Sequence, residues 1–276
     1  MNTLKSERRT AVIRCLVEGN SIRSTVRITG VAKNTVVKLL VDLGGACERY
    51  QDGVLRNLAC ERVQCDEIWS FVGCKDKNVP DERRGELGIG DVWTWTAIDA
   101  DTKIVLSWLV STRDADAAFE FMQDVADRLT NRVQLTTDAH KPYLNAVKGA
   151  FGNNIDYAML VKEYGSDPLS EKRYSPAVCL SASKRPKIGK PDSDFISTSI
   201  NERHNLTMRM SMRRFTRLTN AFSKKVENHA AAISLHFMYY NFVRIHQTIK
   251  TTPAFAAGVT DKIWTLEDVV ALLNSN

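Results

Sequence analysis

Three carboxylates lie in segments where they could share divalent cations. Asp66 lies in QCDEIWSFVG, Asp138 in TTDAHKPY, and Glu202 in a segment that begins NERHN. Carboxylates that are gathered closely repel one another, and divalent cations relieve that repulsion. Hard oxygen ligands favour Mg²⁺ over Zn²⁺, with Mn²⁺ as a substitute. The expected chemistry is two-metal phosphoryl transfer, in which one ion activates a water or hydroxyl and the other stabilises the leaving oxygen.

The predicted positions of these acids depend on two neighbouring strands and one helix. Asp66 falls in the middle of a predicted strand, Asp138 at the end of the fourth strand, and Glu202 near the start of a long helix. If the first and fourth strands are neighbours, the two aspartates approach each other while Glu202 faces them. Glu67 alternates to the other face of its strand, which favours a structural role.

The order of the predicted elements favours an α/β fold with a mixed sheet. Three antiparallel strands are followed by helix, strand, helix, strand, and their predicted ranges are 62–73, 92–99, 103–111, 116–129, 132–138, 143–151 and 155–161. Residues 165–199 are rich in Ser, Pro, Lys and Arg and predict a basic loop or insertion. Further helices are predicted from Ile200 to about Lys225 and over 227–245, before a helical C-terminal end.

A basic stripe is predicted on the helix that begins near Glu202. Turning the helix by about 100° per residue places one set of side chains on a common side: Glu202, Arg209, Arg213, Arg217 and Lys224. The opposite side is apolar and would pack on the sheet. The four cations could follow a DNA backbone beside the metal site, although a solvated basic face is the alternative.

The N-terminal segment predicts a helix-turn-helix. Helices over 5–18, 21–30 and 31–44 are separated by glycine-containing turns, and the third would present Lys33, Asn34, Thr35 and Lys38 to a major groove. The chain carries a net charge of +6, and residues 1–41 hold eight Lys or Arg against two Glu. This surplus favours nucleic acid as the partner, although three-helix cores without a DNA role exist.

Cysteine spacing and hydropathy limit the class of protein. The six cysteines form no C-x-x-C pair, so neither a zinc ribbon nor a disulfide framework is indicated. The sequence holds no apolar run long enough to span a membrane. We therefore expect a cytoplasmic protein, associated with the nucleoid if it binds DNA, that has no membrane partner.

The segments around the three acids resemble the acidic motifs of DDE transposases from bacterial insertion sequences. The resemblance is strongest to the insertion sequence one family. The likeness rests on QCDEIWSFVG, TTDAHKPY and NERHNLTMRMSMRRFTRLTNAFSKKVENH, with YNFVRIHQTIKTTPAFAAG as a similar tail. It implies a ribonuclease-H-like core in which Asp66, Asp138 and Glu202 are catalytic ligands of two Mg²⁺ ions. It also implies cleavage at each element end, strand transfer into target DNA, and a dimer or larger homo-oligomer on the DNA.

Two features depart from that family. Several members carry an N-terminal zinc finger, whereas the first cysteine here is Cys15, inside the first predicted helix. End recognition would then rest on the helix-turn-helix, unless this copy is truncated. The interval from Asp138 to Glu202 is longer than in the compact pattern because of the basic loop, whose Lys184, Arg185 and Lys187 are predicted to touch DNA.

The expected organisation has four parts. These are a helix-turn-helix domain (1–50), a linker (51–61), a ribonuclease-H-like DDE domain with its basic insertion (62–225), and a helical C-terminal segment (226–276). The predicted function is transposition, a DNA recombination in which the enzyme binds the terminal inverted repeats of its element, acts as an endonuclease, and joins the ends to double-stranded target DNA. Two alternatives remain: a domesticated or autoregulatory DNA-binding protein that keeps the fold without transposing, and a structure-specific nuclease that cuts without joining.

Overall fold

The computed structural model describes residues 4–86, 88–165, 178–216 and 220–274. Within these ranges the strands form a six-stranded sheet in the order β3-β2-β1-β4-β5-β6. Their bounds are β1 (Arg62–Val72), β2 (Gly90–Asp99), β3 (Val105–Ser111), β4 (Gln134–Thr137), β5 (Asp156–Gly165) and β6 (Val178–Ile188). The β1–β2, β2–β3 and β5–β6 pairs are antiparallel, whereas β1–β4 and β4–β5 are parallel. The predicted mixed sheet is therefore confirmed.

The pairing of β1 with β4 fixes the relative position of the two aspartates. Cys65 lies opposite Thr137 in a parallel register. Asp66 and Asp138 each follow one residue later, so both carboxylates emerge at the same level of two adjacent strands. The structure thus meets the condition under which the two aspartates approach each other.

Helices cover both faces of the sheet. Their bounds are α1 (Ser6–Val17), α2 (Ile22–Thr29), α3 (Lys33–Val54), α4 (Ala115–Arg128), α5 (Pro142–Phe151), α6 (Ser199–Ser211), α7 (Val226–Met238), α8 (Pro253–Ala256) and α9 (Leu266–Ala271). On one face, Phe121 of α4 and Tyr143 of α5 pack against Trp95 of β2. On the other, α6 contacts β1 and β2, and Phe237 of α7 packs against Trp108 of β3. We call these the α4/α5 face and the α6/α7 face.

The N-terminal helices share a hydrophobic core with the sheet. Helix α2 begins after Ser21, whose hydroxyl accepts a hydrogen bond from the Ser24 N–H, and it ends at Gly30 in a left-handed conformation, as the sequence predicts. Helix α3 continues to Val54, so its last turn occupies residues that the sequence assigned to a linker. It packs along α7, and a Cβ on Gly44 would lie 2.4 Å from the Ala231 carbonyl oxygen.

The helix predicted from Ile200 to Lys225 is wrong in its length. Helix α6 ends at Ser211, Met212 is extended, and a single 3₁₀ turn follows over Arg213–Phe215. This break directs Met212 and Phe215 into the core, where they are 7% and 2% exposed. Burial of these two apolar side chains therefore outweighs continuation of the helix. Consequently Arg213 and Lys224 do not lie on one helical stripe with Glu202, and Arg217 lies outside the described residues.

The basic loop predicted over 165–199 is also corrected in part. Strand β6 pairs antiparallel with β5 from Gly165↔Val178 to Tyr157↔Ile188 and forms one edge of the sheet. Its charged residues and Pro186 are compatible with an edge strand, where one row of backbone groups needs no partner. Residues 166–177 lie outside the described residues.

Candidate functional site

Three carboxylates converge where β1 and β4 lie side by side, and they could bind a metal ion. One oxygen each from Asp66, Glu67 and Asp138 lies within 4.8 Å of the other two. Asp66 points to the α6/α7 face and Glu67 to the α4/α5 face. Asp138 directly follows the end of β4, and its carboxylate lies close to the carboxylates of both Asp66 and Glu67. The sequence placed Asp66 and Asp138 together but assigned Glu67 a structural role. Its position next to Asp66 was the only sequence signal for its inclusion.

The Asp138 carboxylate raises the pKa of both Asp66 and Glu67. Burial, the Asp138 carboxylate and, more weakly, Glu202 raise the pKa of Asp66 to about 7, against the lowering effects of the Glu67 N–H and Arg113. Burial and Asp138 likewise raise the pKa of Glu67 to about 8. Such shifts express desolvation and like-charge repulsion, both of which a divalent cation would offset.

The donor set fits a hard divalent cation. Every candidate ligand atom is a carboxylate oxygen, which suits Mg²⁺ or Mn²⁺. Oε1 of Glu67 is buried without a hydrogen-bond partner among the described residues, and the side chain is only 1% exposed. The Tyr143 hydroxyl is close enough to lower the pKa of Glu67 but lies outside hydrogen-bonding geometry. A cation at the cluster would satisfy an oxygen that the protein leaves unpaired.

Glu202 faces this cluster from the first turn of α6 but is not one of its members. Lys162 of β5 and Thr198 both donate to Oε1 of Glu202. Burial raises the pKa of Glu202, yet these two hydrogen bonds outweigh burial and lower it below its ordinary value. Glu202 is still close enough to raise the pKa of Asp66. Of the three predicted acids, the structure therefore brings Asp66 and Asp138 together, whereas Glu202 lies outside their cluster in an ion pair with Lys162.

Two asparagines and a glutamine fasten α6 to the sheet. Asn201 donates from its amide to the carbonyls of Gln64 and Thr96 and accepts from the Thr96 hydroxyl. The Gln64 side chain accepts from the backbone N–H groups of Ile200 and Asn201. One turn later, Asn205 donates to Oδ2 of Asp66 over 2.8 Å. These bonds set the position of Glu202 relative to β1.

Arg113 lies against the opposite side of the cluster. Its guanidinium is 3.2 Å from Oε2 of Glu67 and 3.6 Å from Oδ2 of Asp138, and it stacks over the Trp93 ring. The Asp138 carboxylate also accepts from the backbone N–H of His140 at 2.9 Å. Neither Arg113 nor Lys162 carried a sequence signal, because their partners are distant in the chain.

The predicted DNA-contacting residues are dispersed over several elements. Lys33, Asn34, Thr35 and Lys38 lie on the first turns of α3, and Lys38 pairs with Asp42. Lys184, Arg185 and Lys187 lie on the edge strand β6. Of the predicted stripe, Arg209 is half-buried on α6, and Arg213 and Lys224 are exposed beyond its end.

The described residues carry two further relevant features. All six cysteines are free, and Cys47, Cys60 and Cys65 are buried. No helix within the described ranges is both long and apolar enough to cross a membrane.

Comparison with known proteins gives structural likeness at low sequence identity but no sequence match. No protein-family model matches the chain, and no curated protein matches it. Among solved structures, the chain is similar to a piggyBac transposase synaptic complex with hairpin DNA, with 10% sequence identity and a TM-score of 0.43. The match covers 99% of this chain and 71% of that one.

Proposed function

We propose that this protein is a DDE-type DNA transposase that cleaves and joins DNA strands with the help of divalent cations. The observation that carries the proposal is the convergence of Asp66 and Asp138 from the adjacent parallel strands β1 and β4, with Glu202 facing them from α6. The resemblance of the three acidic segments to insertion-sequence transposases supports the same activity.

The proposed ligands are Asp66, Asp138 and Glu202, with Mg²⁺ as the natural cation and Mn²⁺ as a substitute. Glu67, which shares the cluster with the two aspartates, could add its Oε1 to this set. When bound, such ions lower the pKa of an attacking water or hydroxyl and stabilise a leaving oxygen. Asn205 keeps the Asp66 carboxylate in place, and Arg113 holds Asp138 from the other side. The carboxylates thus keep their relative positions through bonds to elements on both faces of the sheet.

The proposed reaction has two steps at phosphorus. In the first, water attacks a phosphodiester at the element end, the bond from phosphorus to O3′ breaks, and a 3′-hydroxyl is released. In the second, that hydroxyl attacks a phosphodiester of the target strand, and the displaced O3′ leaves as a new hydroxyl. Neither step needs a covalent intermediate with the protein or an external energy source. The first step hydrolyses one phosphodiester, and the second replaces one phosphodiester with another.

Element ends would be bound by the start of α3, with Lys33, Asn34, Thr35 and Lys38 as contacts. Basic residues of β6 and of the segment after α6 would bind the DNA backbone, which gives an affinity that falls with salt. Pairing two ends requires two sites, so a dimer or larger homo-oligomer on DNA is part of the proposal.

The test uses a labelled duplex that carries one end of the DNA flanking the gene, incubated with Mg²⁺ and an unlabelled target duplex. Wild type is expected to nick the end and join it to the target, whereas Glu202→Gln and Asp66→Asn bind the duplex without cutting. Glu120→Gln, an exposed acid on α4, is the control that should retain activity. Cutting without joining would support a nuclease instead. Binding by every variant with no cutting by wild type would support a DNA-binding regulator.

A further inference from the structure

Lys162 is a cation on the same sheet face as the proposed ligands. Strand β5 pairs with β4 in parallel register up to Thr137↔Met159, so β5 continues past the end of β4 alongside Asp138. Ala158 and Leu160 of β5 pack with Ile196, which follows β6 and precedes α6. Because side chains alternate along a strand, Lys162 projects on the same face as Leu160. It meets Glu202 there.

The ammonium group of Lys162 has N–H donors that Glu202 does not use. Its contact with Glu202 is confined to Oε1, an oxygen that also accepts from Thr198. No hydrogen bond joins Oε2 of Glu202 to the described part of the chain, so this oxygen is available to a cation. An ammonium has three N–H donors, and the described residues occupy one of them. The Lys162 side chain is 21% exposed, which leaves its end open to a ligand.

The ammonium group of Lys162 lies beside the proposed ligands, because its Nζ pairs with the Glu202 carboxylate. It places a positive charge next to a group of carboxylates. In a site for phosphodiesters, a cation in this position suits a phosphate oxygen next to the carboxylates.

We propose that Lys162 binds a phosphate of the DNA strand that lies across the Asp66–Asp138–Glu202 site, while its ion pair with Glu202 weakens divalent-cation binding until DNA is present. This inference rests on the proposed function. It adds a substrate-binding residue from β5 that the sequence analysis did not identify. Opposite effects on cation and DNA binding distinguish this role from that of a residue that only positions Glu202.

The test compares Lys162→Met with Lys262→Met, which removes a similar ion pair, with Asp268, from the C-terminal segment. Mn²⁺ binding is measured without DNA by the electron paramagnetic resonance signal of the free ion. Binding of a fluorescein-labelled duplex is measured by anisotropy in Ca²⁺, over a series of salt concentrations. Lys162→Arg, which keeps the charge, is expected to bind DNA as wild type does.

For Lys162→Met we expect Mn²⁺ affinity to rise about two- to fivefold, as expected for loss of a partly exposed ion pair. Duplex affinity should fall about five- to tenfold, and its salt slope should decrease by about one. Lys262→Met should change neither. A decrease of both affinities in Lys162→Met would assign it a positioning role only and overturn the proposal, as would unchanged DNA binding.

Asp66→Asn and Glu202→Gln separate this inference from the proposed function. If neither lowers Mn²⁺ affinity, the proposed function fails and this inference fails with it. If both lower Mn²⁺ affinity while Lys162→Met lacks the opposite effects, the metal site stands and only the role of Lys162 is refuted. An unfolding curve for Lys162→Met provides the folding control. If that variant unfolds, Lys162→Gln takes its place in the same two titrations.

Discussion

The side-chain amide of Asn205 donates to Oδ2 of Asp66 over 2.8 Å and so connects α6 to the middle of β1. Asn201, one turn earlier on α6, instead bonds to the backbone of β1 and β2. The two asparagines therefore have separable roles, one toward a candidate ligand and the other toward the attachment of the helix.

Alanine at each asparagine is expected to separate these roles. Asn205→Ala should cost about 1 kcal/mol of unfolding free energy and lower Mn²⁺ affinity, because it removes one hydrogen bond that holds Asp66. Asn201→Ala should cost about 2–3 kcal/mol, because it removes three buried hydrogen bonds, two that its amide donates to strand carbonyls and one that it accepts from the Thr96 hydroxyl. Urea unfolding and Mn²⁺ titration measure both effects. Equal losses of stability with unchanged Mn²⁺ binding would contradict the assignment.

The raised pKa of Asp66 predicts that the protein without divalent ions loses stability as the pH rises. The folded protein holds this proton up to a pKa of about 7, whereas the unfolded chain releases it at the ordinary pKa of an aspartic acid. Between these values the folded state binds more protons, so the free energy of unfolding falls with increasing pH. Asp66→Asn should flatten this dependence and be more stable than wild type by about 1 kcal/mol at about pH 8. Urea unfolding in EDTA measures it, and a wild-type stability that is constant over this range would refute it.

Arg113 is expected to stabilise the fold more at high pH than at neutral pH. Burial raises the pKa of Glu67 to about 8, so Glu67 needs a counter-ion only above that value. Arg113→Ala should therefore cost more at about pH 9, by about 1–2 kcal/mol, than at about pH 6. Arg113→Lys should recover part of the difference. Denaturant unfolding at the two pH values measures it, and an equal cost at both would show that Arg113 acts through Asp138 and Trp93 and not through Glu67.

Gly44 lies in close contact with α7. A Cβ there would lie 2.4 Å from the Ala231 carbonyl oxygen and 2.6 Å from its Cβ, so Gly44→Ala must separate the two helices. We expect a loss of about 2–4 kcal/mol in unfolding free energy. At Gly53, on the same helix, a Cβ would meet no packing partner within 4 Å among the described residues. Gly53→Ala should therefore be neutral or stabilising by up to about 1 kcal/mol, and thermal unfolding of both variants tests the difference.

Neighbouring cations on β6 are expected to differ in their effect on DNA binding. In the β5–β6 register Lys184 lies opposite Leu160, so it shares the α6/α7 face with Asp66. Arg185 lies opposite Met159 and points to the α4/α5 face. Lys184→Ala should weaken duplex binding about fivefold, and Arg185→Ala less than twofold. Fluorescence anisotropy measures both. Equal losses would mean that DNA passes along the edge of the sheet and not across one face.

The sequence alone determined the alternation of strands and helices from Arg62 to Phe151 and the placement of Asp66 and Asp138 on two of the strands. Both follow from short-range patterns, since apolar periodicity separates strand from helix within a few residues. That the two aspartates meet depends on the parallel register of β1 with β4, which only the tertiary structure decided. The end of α2 at Gly30 is equally local, because a left-handed residue there ends the helix. Such signals lie within the element that they define.

Only the tertiary structure decided which charges surround the two aspartates. Lys162 meets Glu202, and Arg113 meets Glu67 and Asp138, through strand pairing and register that leave no mark in the local sequence. Strand β6 has a polar sequence without apolar alternation, and its partner β5 determines its conformation. Helix α6 stops at Ser211 because the core takes up Met212 and Phe215, a gain in burial that depends on residues far away in the chain.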